Sequence, residues 1–284
     1  MKKIMFLLVA TTVWMVTACS KDDAVLTDNE NLITELKLYI EGSDTRITNE
    51  YVPGVGFKFK WENTDPVYVY PAEIGNSSAT IFKYNEGTGT FTFYEGSALV
   101  EGKKYYAVYG NMQNSGFNSG KICAAMELNN GLLGYIPMVS DIFTATAEET
   151  FTTLHHMVGI VEIPVKGSIE IYDIKMNIYG STDPLLYGAF TVEFDGDDKV
   201  STITKTGSSK SSMQSTVKYN STSQLVLFET EQSLFFLALP GTYDKVKITY
   251  SKDGSGGYET ENLSTSLTVQ RGKINKKSTA VTIN

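Results

Sequence analysis

Few side chains in this 284-residue chain could do covalent or metal chemistry, and their spacing narrows what that chemistry is. The thiols are Cys19 and Cys123, and the imidazoles are His155 and His156. Cys123 lies in the apolar run KICAAMEL, where a cysteine behaves as a small buried hydrophobe rather than as a reactive thiolate. His155 and His156 are adjacent on an expected strand. Neighbouring strand residues point to opposite faces, so the two rings do not chelate one ion. One ring is expected at the core edge and the other exposed. Asp195-Gly196-Asp197-Asp198 lacks the remaining ligands of a calcium loop and reads as a hairpin turn. There is no G-x-S-x-G nucleophile elbow, no phosphate-cradling loop and no zinc-spaced Cys/His set. Paired carboxylates for glycoside hydrolysis are defined by a separation in space, and no spacing along the chain singles out a pair. No catalytic residue, metal site or cofactor is expected, and the chain reads as a non-enzyme.

Cys19 is the exception, because of what precedes it. Lys2 and Lys3 form a basic start, Ile4 to Val16 is largely apolar, and small Ala18 adjoins the cysteine. That is the layout of a secretory signal, here residues 1–18, and too short for a transmembrane helix. Val16-Thr17-Ala18-Cys19 resembles the bacterial lipobox, in which the thiol is acylated and the chain is cut on its N-terminal side. Stable lipid anchoring needs more than one acyl chain, which bacterial lipoproteins carry. Lys21, Asp22 and Asp23 resemble the lysine-plus-two-acids tag that sends Bacteroidetes lipoproteins to the outer face of the outer membrane. Residues 19–33 then form a lipidated start and a polar linker.

Composition bounds the remainder. Hydrophobic residues make up 42% and charged residues 20%, enough apolar material for a packed core and too little charge for global disorder. A net charge of -8 argues against nucleic acid, whose phosphates need a basic face. With Cys19 lipidated, Cys123 has no partner for an intramolecular disulfide.

The elements that must position everything else are strands. Leu36, Leu38 and Ile40 alternate with polar residues, as do Phe57, Phe59 and Trp61. Val67 to Tyr70, Phe91 to Phe93 and Tyr105 to Tyr109 are β-branched or aromatic runs. Further runs follow at Val158 to Val165, Ile169 to Ile178, Tyr187 to Phe194, Leu225 to Phe228, Leu234 to Leu239, Val246 to Tyr250 and Leu267 to Val269. Asn85-Glu86-Gly87, Glu95-Gly96 and Asp253-Gly254 supply turn signals between them. One helical turn is expected at most, over Thr146 to Phe151. Many short strands in a chain this long predict an all-β protein of two β-sandwich domains, residues 34–145 and 146–284. Thr204 to Ser215 reads as a long flexible loop in the second or, equally, as a linker.

The order of landmarks resembles the fimbrillin-like, or type V pilin-like, lipoproteins of Bacteroidetes. Thr45-Arg46 comes first, then Phe59-Lys60-Trp61-Glu62 and Asp65-Pro66-Val67-Tyr68-Val69. Ile136-Pro137-Met138-Val139 and Leu154-His155-His156-Met157-Val158-Gly159-Ile160-Val161 follow. The carboxyl end gives Phe236-Leu237-Ala238-Leu239-Pro240-Gly241-Thr242-Tyr243 and Leu267-Thr268-Val269-Gln270-Arg271-Gly272-Lys273-Ile274. One departure is Asn63-Thr64-Asp65, where the family more often has glycine before the aspartate. The resemblance implies two domains of transthyretin-like topology and a role as pilus shaft, anchor, tip or adhesin. It also implies polymerisation by strand exchange, with an arginine-directed protease removing an N-terminal strand and the next subunit refilling the groove.

Arg46 and Arg271 are the chain's two arginines, and Arg46 follows the expected strand Leu36 to Ile40 directly. Cleavage at Arg46 would release both strand and lipid. The partners implied are the outer membrane through the lipid, other pilus subunits, and a host or bacterial surface ligand. The competing expectation is a glycan-binding lipoprotein of a nutrient-uptake system, holding sugars on exposed aromatics. Seventeen Tyr and 14 Phe supply material for it, but in alternating strands such residues are core. Trp61 is expected there.

Overall fold

The computed structural model describes residues 31–41, 50–52, 56–58, 61–73, 75, 78–110, 112–118, 121–126, 136–171, 173–178, 189–206, 215–217, 225–226, 229–252, 259–263 and 266–283. Cys19, Lys21, Asp22, Asp23 and Arg46 lie outside these residues, as does the side chain of Cys123. All regular structure among the described residues is β-strand, and residues Asn31–Asn284 form one compact unit.

Alternation places one face of each strand inward. In Glu35–Ile40, Leu36 and Ile40 are buried while Glu35 and Tyr39 face water. This strand runs parallel to Phe151–His156, with Lys37 opposite Phe151 and Ile40 opposite Leu154. On its other side it pairs antiparallel with Thr90–Glu95, Leu36 opposite Phe91. The ladder continues from Thr90–Glu95 through Thr80–Asn85, Pro66–Pro71 and Lys104–Tyr109. Lys104–Tyr109 pairs with Met138–Ser140, which pairs back with Phe151–His156. The ladder therefore closes on itself, leaving no free edge along that path. Leu36, Ile40, Val67, Val69, Phe82, Phe91 and Leu154 pack inside it. Trp61, half-buried and outside any strand, packs edge-on against Phe91 and Tyr109, at ring separations of 4.8 and 4.9 Å, and so lies against this core.

A second core is shared by two sheets. In one, Gly159–Gly167 is flanked by Gln232–Ala238 and, in parallel, by Ile274–Lys276 and Val281–Ile283. In the other, Asp173–Ile178 pairs with Val246–Ser251 and Ser215–Val217, and Glu259–Asn262 adds beyond. Burying Val161, Ile163, Met176, Phe236, Ile248 and Tyr250 joins them. A third sheet draws on both halves of the chain: Met112–Asn118, Lys121–Met126, Ala189–Phe194 and Val200–Lys205. Phe190 and Val192 from it pack with Val108, Val139, Val158 and Leu237.

Two local expectations meet their physical answers here. Thr146 to Phe151 makes no helical turn; instead Thr150 Oγ1 accepts from Thr146 N–H at 3.0 Å and Thr146 Oγ1 donates to Glu149 O at 2.6 Å. Hydroxyls bonding nearby backbone compete with helix formation in this way. Thr64, at the position where the resembled family favours glycine, has φ of 78°. A β-branched residue is costly in that left-handed region, which explains the glycine preference. The strand that carries the histidines, Phe151–His156, belongs to the closed ladder; Met157 and Val158 then pack with the third sheet, and the chain enters the second core at Val161.

That passage is tight at Gly159. A methyl group there would stand 2.3 Å from Gln270 O and 2.6 Å from Val269 Cγ1. Gly159→Ala is therefore expected to destabilise the protein by about 2 kcal/mol, the ordinary cost of overpacking a fixed interior. Urea unfolding of the variant against the parent measures it.

Candidate functional site

The Glu35–Ile40 strand has a seam on each flank, and a chain of charges closes its far end. Glu41 follows Ile40, and its N–H donates to Leu154 O at 2.9 Å, extending the parallel register by one step. That step sets Glu41 beside His155. His155 Nδ1 lies 2.9 Å from Glu41 Oε2, an ion-pair distance that forms no hydrogen bond. Arg271 Nη2 lies 3.5 Å from Glu41 Oε1, while its Nη1 is buried with no hydrogen-bond partner. Buried donors left unmet cost about 1–3 kcal/mol each, so this contact is imperfectly satisfied.

His155 is oriented from behind. Its Nε2 is 2.8 Å from Asp141 Oδ1. The Asp141 side chain is 5% exposed and is further held by Val200 N–H at 2.9 Å and Lys199 Nζ at 3.1 Å. Burial opposes ionisation of Asp141, but the donors from His155, Val200 and Lys199 outweigh it and lower its pKa. Burial likewise opposes charge on His155, but the carboxylates of Asp141 and Glu41 outweigh it and raise its pKa. The doubly protonated ring suits a site with an acid at each nitrogen. His156 points the other way, into the interior, as strand alternation requires. Burial lowers its pKa to about 4. The sequence reading had one ring exposed; in fact His155 is only 12% exposed, because Glu41 and Asp141 cover it.

The near end of the strand is more open. Lys37 pairs with Glu149, both half-exposed, and Lys37 N–H donates to Thr150 O at 2.9 Å. A cleft of about 320 Å³ runs between residues 32–37 and 146–150. Exposed pairs of this kind are worth little. Outward from the same seam stand Tyr39 and Phe151, 45% and 58% exposed. Their rings meet edge to face at 6.3 Å and 76°, which is not a flat platform for a sugar ring. Tyr94, also exposed, is capped by Lys83 Nζ at 3.2 Å from its ring centre.

Elsewhere the acidic turn behaves as a turn. Asp195 Oδ1 accepts N–H groups of Asp197 and Lys199 at 2.9 Å each, and Asp198 adopts φ of 62°. Among the described residues no cluster of His, Cys, Asp and Glu is arranged to hold a metal ion. No helix of the described residues is long and apolar enough to cross a membrane. The sequence marks the strand and the opposed histidines but gives no sign that Asp141 and Glu41 flank His155, or that Lys199 and Arg271 hold those two acids. Those contacts span separations from 14 to 230 residues, and no local pattern signals them.

No family model matches the chain, and no curated protein matches it in sequence. Solved structures do match in shape. A Bacteroides ovatus ATCC 8483 protein designated a candidate for cell adhesion aligns with TM-score 0.50 and 13% identity, over 89% of this chain and 92% of its own. A second such candidate, from Bacteroides uniformis ATCC 8492, gives TM-score 0.46 and 12% identity over 91% and 94%. A fimbrial assembly protein of Parabacteroides distasonis ATCC 8503 gives 0.37 and 7% over 87% and 91%. The chain is thus an all-β protein that shares its fold with the Bacteroides ovatus protein and counts cell-adhesion and fimbrial proteins of that bacterial group among its structural neighbours.

Proposed function

We propose that this chain is a surface-anchored lipoprotein of the fimbrillin-like kind, acting in cell adhesion or pilus assembly without enzymatic chemistry. On this reading Cys19 carries the lipid in the outer membrane, and Lys21, Asp22 and Asp23 direct the protein to the outer face. On the same reading the fold comprises two sandwich domains of transthyretin-like topology, with Phe151–His156, beyond the expected boundary at 145/146, contributing to the first. The observation that carries the reading is the seat of the Glu35–Ile40 strand. It lies at the start of the described chain, between Phe151–His156 and Thr90–Glu95, with Leu36 and Ile40 filling the core. Its removal would open an apolar trench with two rows of unpaired backbone groups, the surface that strand addition uses. The shared fold with a cell-adhesion candidate supports the same reading. The glycan-binding alternative gains no such support, since the exposed Tyr39 and Phe151 rings are not coplanar.

Arg46 is the proposed cleavage point. An arginine-specific protease acting on the parent chain is expected to release a fragment ending at Arg46 and to yield detergent-resistant oligomers. Arg46→Ala should abolish both products. Oligomers forming unchanged from the Arg46→Ala chain would sink the processing step. Filaments that persist on cells lacking this protein would sink its role as a shaft subunit.

A further inference from the structure

The end of the strand slot has a chemical preference that the resident strand does not fully meet. Asp141 occupies Nε2 of His155, so Nδ1 is the nitrogen left facing the slot. Arg271 approaches the same point from the turn after Leu267–Val269. Both side chains offer cationic donors, and among the described residues neither His155 Nδ1 nor Arg271 Nη1 makes a hydrogen bond. Glu41 fills the place by one long hydrogen bond from Arg271 Nη2 at 3.5 Å and an ion-pair contact with His155 Nδ1 at 2.9 Å, leaving Nη1 unmet. The opposite end of the same strand meets Glu149 through Lys37. A cation upstream and an acid downstream therefore mark one direction along the slot, the parallel one that the strand takes beside Phe151–His156.

We propose that His155 and Arg271 form a carboxylate socket that selects the strand entering this slot from a second protein chain. The chosen strand carries apolar residues at the Leu36 and Ile40 positions and an acidic residue at, or one step beyond, the position of Glu41. This inference rests on the strand-exchange reading above. Charge complementarity commits the occupant: a lysine or arginine at that point would face two cations, and a neutral residue would leave both donors unmet. An acid placed to hydrogen-bond Nδ1 and Nη1 together would hold better than Glu41 does. Displacement of the resident strand is then favourable at that end.

The test uses a fluorescent peptide of the sequence of residues 31–41, amidated so that its terminus adds no charge. It is mixed with the full chain carrying Leu36→Ala, which loosens the resident strand. The parent peptide is expected to bind about tenfold more tightly than its Glu41→Lys version. Arg271→Glu in the protein should reverse that preference, an outcome that a merely structural arginine would not produce. Equal binding of the two peptides overturns the socket while leaving strand exchange standing. Binding of neither peptide overturns the exchange reading and the socket with it. If the Leu36→Ala chain does not fold, amide exchange in the parent chain decides. Glu41→Lys should speed exchange of residues 35–40 more than Glu41→Gln does, and equal rates would overturn the socket.

Discussion

Asp141→Ala is expected to destabilise the protein by about 3–5 kcal/mol, the cost of stripping one partner from a buried ionic set. The carboxylate is 5% exposed and receives three donors, from His155, Lys199 and the Val200 backbone. The donors come from two separate parts of the chain, His155 from one and the neighbours Lys199 and Val200 from the other. Asp141 follows Met138–Ser140, His155 sits on Phe151–His156, and Lys199 precedes the edge strand Val200–Lys205. Removing the carboxylate leaves the His155 imidazole and the Val200 N–H facing an empty space. Asp141→Asn keeps the shape and one acceptor, so its cost should be roughly half. Equilibrium urea unfolding measures both. A cycle with His155→Gln should show a coupling of about 1 kcal/mol or more, because the two groups share one bond. Independent, additive losses would mean that Asp141 acts through its backbone contacts alone.

The strands were legible because their cause is local. Alternation at Leu36, Leu38 and Ile40, and the β-branched and aromatic runs at Val67 and Tyr105, reflect which face meets the core. The observed strands Glu35–Ile40, Pro66–Pro71 and Lys104–Tyr109 contain those runs. The Asp195 turn was legible for the same reason. Pairing was not, because it depends on which strand arrives beside which. Nothing at Met138-Val139 announces that it bridges Lys104–Tyr109 and Phe151–His156, the contact that closes the ladder. The site divides along the same line. The opposite orientation of His155 and His156 follows from strand geometry alone. What surrounds each ring comes from elsewhere in the chain, Glu41 lying more than a hundred positions from His155, so the covering of His155 by Glu41 and Asp141 had no signal in its own neighbourhood.

His156 should make the protein acid-sensitive over a defined window. Its pKa in the folded state is lowered to about 4, chiefly by burial; Glu41 opposes the shift, and the nearby Arg271 and His155 charges reinforce it. An unfolded histidine titrates near 6.5 (about that value in model peptides). Above both values the ring is neutral in either state, and stability is complete. As pH falls below 6.5 the unfolded chain takes up a proton that the folded chain refuses, so stability drops by about 1.4 kcal/mol per pH unit until the folded pKa is reached. The total loss is on the order of 3 kcal/mol between pH 6.5 and 4. His155 does not offset this: its raised pKa gives a contribution fully present below 6.5 and lost only on the alkaline side. Asp141, with a lowered pKa, weakens only as pH falls through carboxylate values beneath the window. Asp65 is shifted upward, mainly by burial, and works in the opposite sense near the window's lower end. Urea unfolding at steps from pH 7 to 4 should therefore show one proton's worth of slope, starting near 6.5. His156→Gln should flatten that slope even if it lowers stability at neutral pH. An unchanged slope in the variant would place the acid sensitivity elsewhere. The test separates two adjacent histidines by the sign of their linkage, because one strand turns His155 toward carboxylates and His156 into the interior.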